Sequence, residues 1–323
     1  AVVTGGGVGV SATASCLMNS EGILSSGITT SHGIGVQVSI DVDGQLTSSW
    51  QGQSSRSLLP AVPECVSRAV HWAQVTQNPL NVESSAVETP VLLTSEGFSP
   101  LFSMVVPPAM TGEKMVRKES FWSESMGKEV LNPSLSLHDD GLLNGGMSSG
   151  SRDAEGVPRR RQTLVENGTL SNMLWSTRDA AQQVAEGRIE DASSTGSASS
   201  GGHQSPPSTG CTELFLTSSQ PSMTMEQLLE TMGDGYIVNS VMGAHTANPS
   251  SGDFSVTTSA ILKVENGEII GALKQAGLSG NLAKSLKEKV ILGDDVRRQG
   301  SYSSGSMHLP DILLMDGLRV NPA

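Results

Sequence analysis

From His32 to Trp50 apolar and polar side chains alternate. In HGIGVQVSIDVDGQLTSSW, Ile34, Val36, Val38 and Ile40 share one face at period two, the spacing of a half-buried strand. Asp43-Gly44 then offers a two-residue hairpin turn. Residues 10–50 therefore predict a meander of three strands. The period changes over 57–76, where Val62, Cys65, Val66, Ala69, Val70 and Ala73 fall at helical spacing. NPLNVESSAVETP has no periodicity and places a domain boundary near residue 88.

Beyond it, PVLLTSEGFSPLFSMVV predicts a strand and a short helix, with Ser99 as N-cap, Pro100 at the first helical position and Pro107-Pro108 forbidding continuation. Asn167-Gly168 marks a type I′ hairpin, and a helix follows at about 178–187. The small-residue stretch at 192–210 predicts a flexible loop. TMEQLLETMG predicts a helix capped by Thr224, boxed by Gln227 and ended at Gly233. Strands follow at about 235–242 and 254–264, then a turn at Asn266-Gly267 and another strand. A helix at 281–290, partly burying Leu282, Leu286 and Val290, and two short strands complete the expected order. The absence of a βαβ rhythm makes the fold class α+β.

Composition sharpens this. With 37% hydrophobic but only 3% aromatic residues, the core must be built from Val, Leu, Ile, Met and Ala. The net charge of −12 repels phosphate backbones, so the chain alone is not expected to bind nucleic acid. The one dense basic run, Arg159 to Arg161, reads as a solvated turn or strand end. Cys16, Cys65 and Cys211 are odd in number, far apart and without CxxC spacing, which suggests a reduced, cytoplasmic chain. No run reaches the roughly 18 apolar residues of a membrane helix.

Candidate chemistry is sparse. TGGGVGVSA at 4–12 is Gly-rich but lacks the bracketing strand and helix of a dinucleotide site, and is expected to be irregular. The six histidines, His32, His71, His138, His203, His245 and His308, form no helical metal pair. His138-Asp139-Asp140 is the best local cluster, although a polar turn is the simpler reading. HTANPSSGDFS, from His245 to Ser255, reads as a wide hairpin loop in which His245, Asn248 or Asp253 could face a ligand or subunit. A hydrolase built from His138, Asp139, Asp140, His245 or Asp253 would need these groups to converge.

Several ordered blocks resemble the TldD/PmbA family, long labelled modulators of DNA gyrase, and its PmbA (TldE) side above all. They are HDDGLLNGGMSSGSRDAEGVPRRRQTLVENGTL, STGSASSGGHQSPPSTGCTELFL, MGDGYIVNSVMGAHTANPSSGDFSVTTSAILKVENGEI and AGLSGNLAKSLKEKVILGDD. The resemblance runs from about Asn19 to Leu318. It implies an N-terminal α/β domain, here 1–88 and partial, and a larger β-rich, barrel-like domain at 89–323. It also implies a cytosolic complex in which a TldD-type subunit binds zinc through a helical H-E-x-x-x-H motif and a distant Cys. Ser103, Met104 and Pro108 stand at the first His, the Glu and the second His, and Ser304 or a neighbour near the Cys. The implied chain carries no cofactor, leaves zinc and peptide cleavage to a TldD-like partner, and helps hold peptide. The alternative is a stand-alone binding or scaffold homodimer.

Overall fold

A computed structural model describes residues 1–57, 62–82, 86–200, 202, 204–300 and 305–322. Strands Val2–Met18 (β1), Leu24–Val42 (β2) and Gln45–Ser55 (β3) form an antiparallel sheet in the order β1-β2-β3. Asp43 and Gly44 turn between β2 and β3 with φ of 53° and 81°, both in the left-handed region that a type I′ turn requires. Helix Val62–Val75 (α1) lays Cys65, Ala69 and Ala73 on the sheet against Val36, Val38 and Ile40. Those three positions are four apart, so they form one stripe.

The larger sheet holds thirteen strands. In chain order the next elements are Val87–Glu88 (β4), Val91–Leu93 (β5), helices Ser95–Ala109 (α2) and Gly112–Val116 (α3), and Leu135–Asp140 (β6). Arg161–Glu166 (β7), Thr169–Leu170 (β8), Thr177–Ala185 (α4) and a small hairpin, Ala198–Ser199 (β9) with Ser208–Thr209 (β10), follow. Then come Glu213–Ser218 (β11), Met225–Met232 (α5), Gly235–Met242 (β12), Asp253–Glu265 (β13), Glu268–Leu273 (β14) and Ala276–Asn281 (β15). Leu282–Ser285 (α6), Val290–Gly300 (β16), Ser306–Leu314 (β17) and Leu318–Pro322 (β18) complete the set. The strand path is β4-β18-β15-β13-β12-β5-β17-β11-β6-β7-β8, with β14 on β13 and β16 on β17.

The central strands are buried on both faces. Val91, Leu93, Val238, Ile312 and Leu314 face α2, while Leu92, Ile237 and Leu313 face Trp72 of α1 and Leu228 and Met232 of α5. That explains the continuous apolar runs VLL and ILL, which a one-sided sheet would have broken by alternation. Helix α1 thus bridges both sheets.

Several expectations need correction. TGGGVGVSA is not irregular: it lies in β1, pairing Gly7 with Gly35 and Gly9 with Gly33, so the glycines do not prevent a ladder with β2. Helix α2 is capped by Thr94, whose hydroxyl accepts from Gly97 N at 3.3 Å, not by Ser99. Pro107 and Pro108 sit inside its last turn, and the helix stops one residue later at Ala109. Prolines remove donors but do not expel a helix whose other residues pack in the core. The segment 192–210 is not wholly flexible: Asp153, Gln162 and Trp175 pin Ala198, Ser197 and Thr195 by hydrogen bonds. The helix expected at 281–290 is only α6, because Val290 already starts β16. Three strands, not two short ones, end the chain. Among the described residues the large sheet is open between β4 and β8, a mixed sheet and not a closed barrel.

Candidate functional site

Of the positions singled out by sequence, Ser103, Met104 and Pro108 lie on α2, and His245 lies on a turn packed against it. Thr94 fixes the start of the helix, and its hydroxyl donates to Asn239 Oδ1 at 2.8 Å, locking α2 to β12. Gly97 permits the close approach: a Cβ there would lie 2.3 Å from Val238 O. Phe98, Leu101, Phe102, Val105 and Val106 are fully buried. Ser103 is 1% exposed, so its side chain belongs to the packed interior. Met104 and Pro108 are half-buried, and Pro108 helps line a cavity of about 330 Å³ with Thr111, Arg178 and Asp179. Ser304 lies outside the described residues.

Helix α2 packs against a 3-10 turn, Ala244–Thr246, in the loop joining β12 to β13. This turn carries exposed His245. Further along, Asn248 Oδ1 accepts from Ser250 N at 2.9 Å and Asn248 N donates to Asp253 O at 2.8 Å, which closes the loop on itself. Gly252, at φ 83°, has no room for a Cβ because Ala283 would be 2.9 Å away. Asp253 accepts from Ser251 Oγ at 2.6 Å and from Asn281 Nδ2 at 2.8 Å, and these bonds hold its carboxyl below the usual range. The hairpin expected at HTANPSSGDFS is therefore present, between antiparallel strands.

The His138-Asp139-Asp140 cluster does not converge with this loop. It is strand β6, not a turn, so its side chains alternate. His138 stacks on Phe215, with ring centroids 5.1 Å apart, and burial above all lowers its pKa. Asp139 is 1% exposed and accepts from Thr212 N and Glu213 N at 2.7 and 2.8 Å. Burial pushes its carboxyl up to about 6 against those bonds. Asp140 binds Arg161 at 2.6 Å. The arginine run is consumed by such contacts: Arg159 donates to Thr212 Oγ1 and Arg160 to Ser194 O.

Sequence reasoning missed a second pair. His308 Nε2 lies 2.9 Å from Glu213 Oε2, whose side chain is fully buried. Glu213 Oε1 also accepts from Ser148 N at 2.6 Å. His308 stacks on the other side of Phe215 at 4.0 Å. The ladder follows from register, since Phe215 pairs with His138 on β6 and His308 on β17. The partners are 95 residues apart, so no local spacing could signal them. Among the described residues no group of three or more His, Cys, Asp or Glu is placed to hold a metal ion, and no helix is long and apolar enough to cross a membrane.

Comparison with known proteins agrees with this architecture. Residues 86–321 match the model of the PmbA/TldA metallopeptidase C-terminal domain. An uncharacterised protein of Methanocaldococcus jannaschii is 28% identical over 307 residues, covering 95% of this chain and 68% of that protein. The metalloprotease PmbA of Escherichia coli O157:H7 is 27% identical over 296 residues, covering 91% and 60%. The crystal structure of TldE from Thermococcus kodakarensis superposes with a TM-score of 0.85 at 22% identity, covering 98% of this chain and 68% of that one. A Thermotoga maritima protein described as a candidate modulator of a DNA gyrase superposes with a TM-score of 0.79 at 26% identity, covering 94% and 66%. The chain thus spans about 60–68% of the length of these relatives. With the family model covering most of the sequence, the chain belongs to the PmbA/TldD metallopeptidase family.

Proposed function

We propose that this chain is the metal-free, TldE-type subunit of a two-subunit cytoplasmic peptidase, in which a TldD-like partner holds zinc and cuts peptides or unfolded segments. The observation that carries the reading is the content of α2. Where the family resemblance puts His, Glu and His, this helix has Ser103, Met104 and Pro108. Zinc needs about three protein ligands of the imidazole, thiolate or carboxylate kind, and none of these three side chains is one. The partner would supply the Lewis acid, and this chain would wall the cavity and position an extended peptide.

The test is co-expression with a TldD-like chain that carries the full motif. The pair is expected to co-elute with about one zinc and to cleave peptides, while the lone chain does neither. One equivalent of zinc on the purified lone chain would sink the reading. A second reading, the stand-alone homodimer, draws on β1. This edge strand has no charged residue from Val2 to Met18, and Val8 and Val10 are 73% and 70% exposed. Such an unprotected edge is a template for another strand. Light scattering that finds a stable self-dimer unable to take up the partner would favour it.

A further inference from the structure

Between α1, α5 and the first turn of α2 lies a cavity of about 380 Å³. Part of its lining is apolar, from Trp72, Met223, Met225 and Leu228. The polar part of the lining sets Asp294, Asp295 and Asp311 against one guanidinium, Arg68, with the His71 imidazole and the Ser67 and Thr94 hydroxyls beside them. Arg68 is already engaged, by Glu96 at 2.9 Å and Asp295 at 3.0 Å. Arg297 likewise binds Glu64 at 2.7 Å and Asp295 at 3.0 Å.

Asp311 is left over. It is 5% exposed and accepts one hydrogen bond, from Ser95 N to Oδ1 at 2.8 Å. Its Oδ2 has no hydrogen-bond partner among the described residues. Asp311 lines the cavity and Oδ2 is not sealed from it, so a cation entering the cavity can meet a carboxylate already largely stripped of water. Burial above all, opposed by Ser95 N and reinforced by Asp295 and Glu96, pushes this carboxyl up to about 7.

We propose that this cavity binds a primary ammonium group carried on an aliphatic stem, with Asp311 as its acceptor. An ammonium supplies compact positive charge and three donors, and the excess of carboxylates over free cations favours it. The thioethers of Met223 and Met225 suit an unbranched stem, because methionine adapts its shape. A metal ion is the poorer occupant, since no three ligating groups are placed for one among the described residues. Two sources share this chemistry: a lysine side chain and the amino terminus of a peptide. The ammonium preference stands without the subunit pairing proposed above, whereas a peptide origin of the amine rests on it.

The test is ligand-observed NMR on the full chain. Nα-acetyl-lysine amide and leucine amide present the two kinds of ammonium; Nα-acetyl-norleucine amide and N-acetyl-leucine amide are their uncharged matches. At least one ammonium ligand is expected to bind at least about tenfold more tightly than its match, the energy of one charged hydrogen bond. Which one binds identifies the source. Asp311→Asn is expected to remove that preference. Asp294→Lys, at an exposed position, is expected to weaken ammonium binding without disturbing the core. Equal binding of charged and uncharged ligands, no binding of either ammonium, or full preference in folded Asp311→Asn would overturn the proposal. Each of these results leaves the co-elution assay with the TldD-like partner standing, so the two failures are distinguishable.

Discussion

Asp311→Asn also converts a buried carboxyl into a measurable pH dependence of stability. Burial pushes the folded-state carboxyl from 3.8 up to about 7, with Asp295 and Glu96 adding to the rise and Ser95 N and Arg68 opposing it. Because the folded value lies above the unfolded one, the folded chain keeps a proton that the unfolded chain has released. The stability linked to that proton is therefore fully present below about pH 4 and is lost as pH rises to about 7, at ~1.4 kcal/mol per unit. Between about pH 5 and about pH 8 the loss amounts to roughly 2–3 kcal/mol. The asparagine cannot titrate, yet its side-chain oxygen can still accept from Ser95 N, which keeps the start of α2 in place. Urea unfolding of both proteins at the two pH values gives the quantity directly. Titrating groups remote from Asp311 cancel in the double difference, whereas Asp295 and Glu96, which feel its charge, contribute to the same measured quantity. The variant is expected to gain roughly 2–3 kcal/mol on the wild type between the lower and the higher pH. A double difference within about 0.5 kcal/mol of zero would refute the reasoning, because it would mean that Asp311 titrates like an exposed carboxyl.

Three further outcomes follow from the packing. Thr224→Ala removes a capping box in which Thr224 Oγ1 accepts from Gln227 N at 3.3 Å and Thr224 N donates to Gln227 Oε1 at 3.0 Å; a loss of about 1 kcal/mol is expected in urea unfolding. Gly97→Ala forces a methyl to 2.3 Å from Val238 O, and the backbone shift is expected to cost about 1–3 kcal/mol by the same measurement. Arg56→Ala removes the donor that ties β3 to the carbonyls of Gly146, Met147 and Ser149. Limited proteolysis is expected to cut residues 141–150 faster in that variant, and an unchanged rate would mean that the loop holds itself.

Where the signal in the sequence is local, it translates directly into structure. The period-two run of β2, the Asp43-Gly44 and Asn167-Gly168 turns and the Thr224 cap each depend on neighbours within a few residues. Helix α2 departs from its sequence signals, because proline and cap rules weigh single residues. What keeps Pro107 and Pro108 helical is the burial of Leu101, Phe102, Val105 and Val106 around them. Asp311, Glu213 and His308 were invisible for another reason. Asp311 meets Ser95 from 216 positions away and Glu213 meets His308 across 95, so only strand order brings them together. The strand run after residue 290 departs from the expected two short strands because LPDILL, buried on both faces, lacks alternation.

The geometry of the β12–β13 loop separates the three contact candidates on it. Asp253 is held by Ser251 and Asn281, and Asn281 in turn accepts from Lys284 N at 2.9 Å to cap α6. Those two bonds fix the carboxylate between loop and helix, while its exposed oxygens each keep a further acceptor site. Asn248 is engaged as well, turning the chain through Ser250 N. Both residues therefore do the work of a turn, which accounts for Asn, Pro, Gly and Asp at these positions without any chemistry. His245 differs: it is exposed, sits on the turn against α2, and makes no side-chain hydrogen bond among the described residues. His245 is thus the one of the three whose side chain has no turn-forming bond among the described residues, and we propose it as the first position to test for a substrate or subunit contact. His245→Ala is expected to leave the stability of the lone chain within about 0.5 kcal/mol of wild type while weakening pairing or peptide capture in the complex. A variant that unfolds more readily but pairs and captures peptide normally would assign His245 to the fold and leave the loop without a contact role.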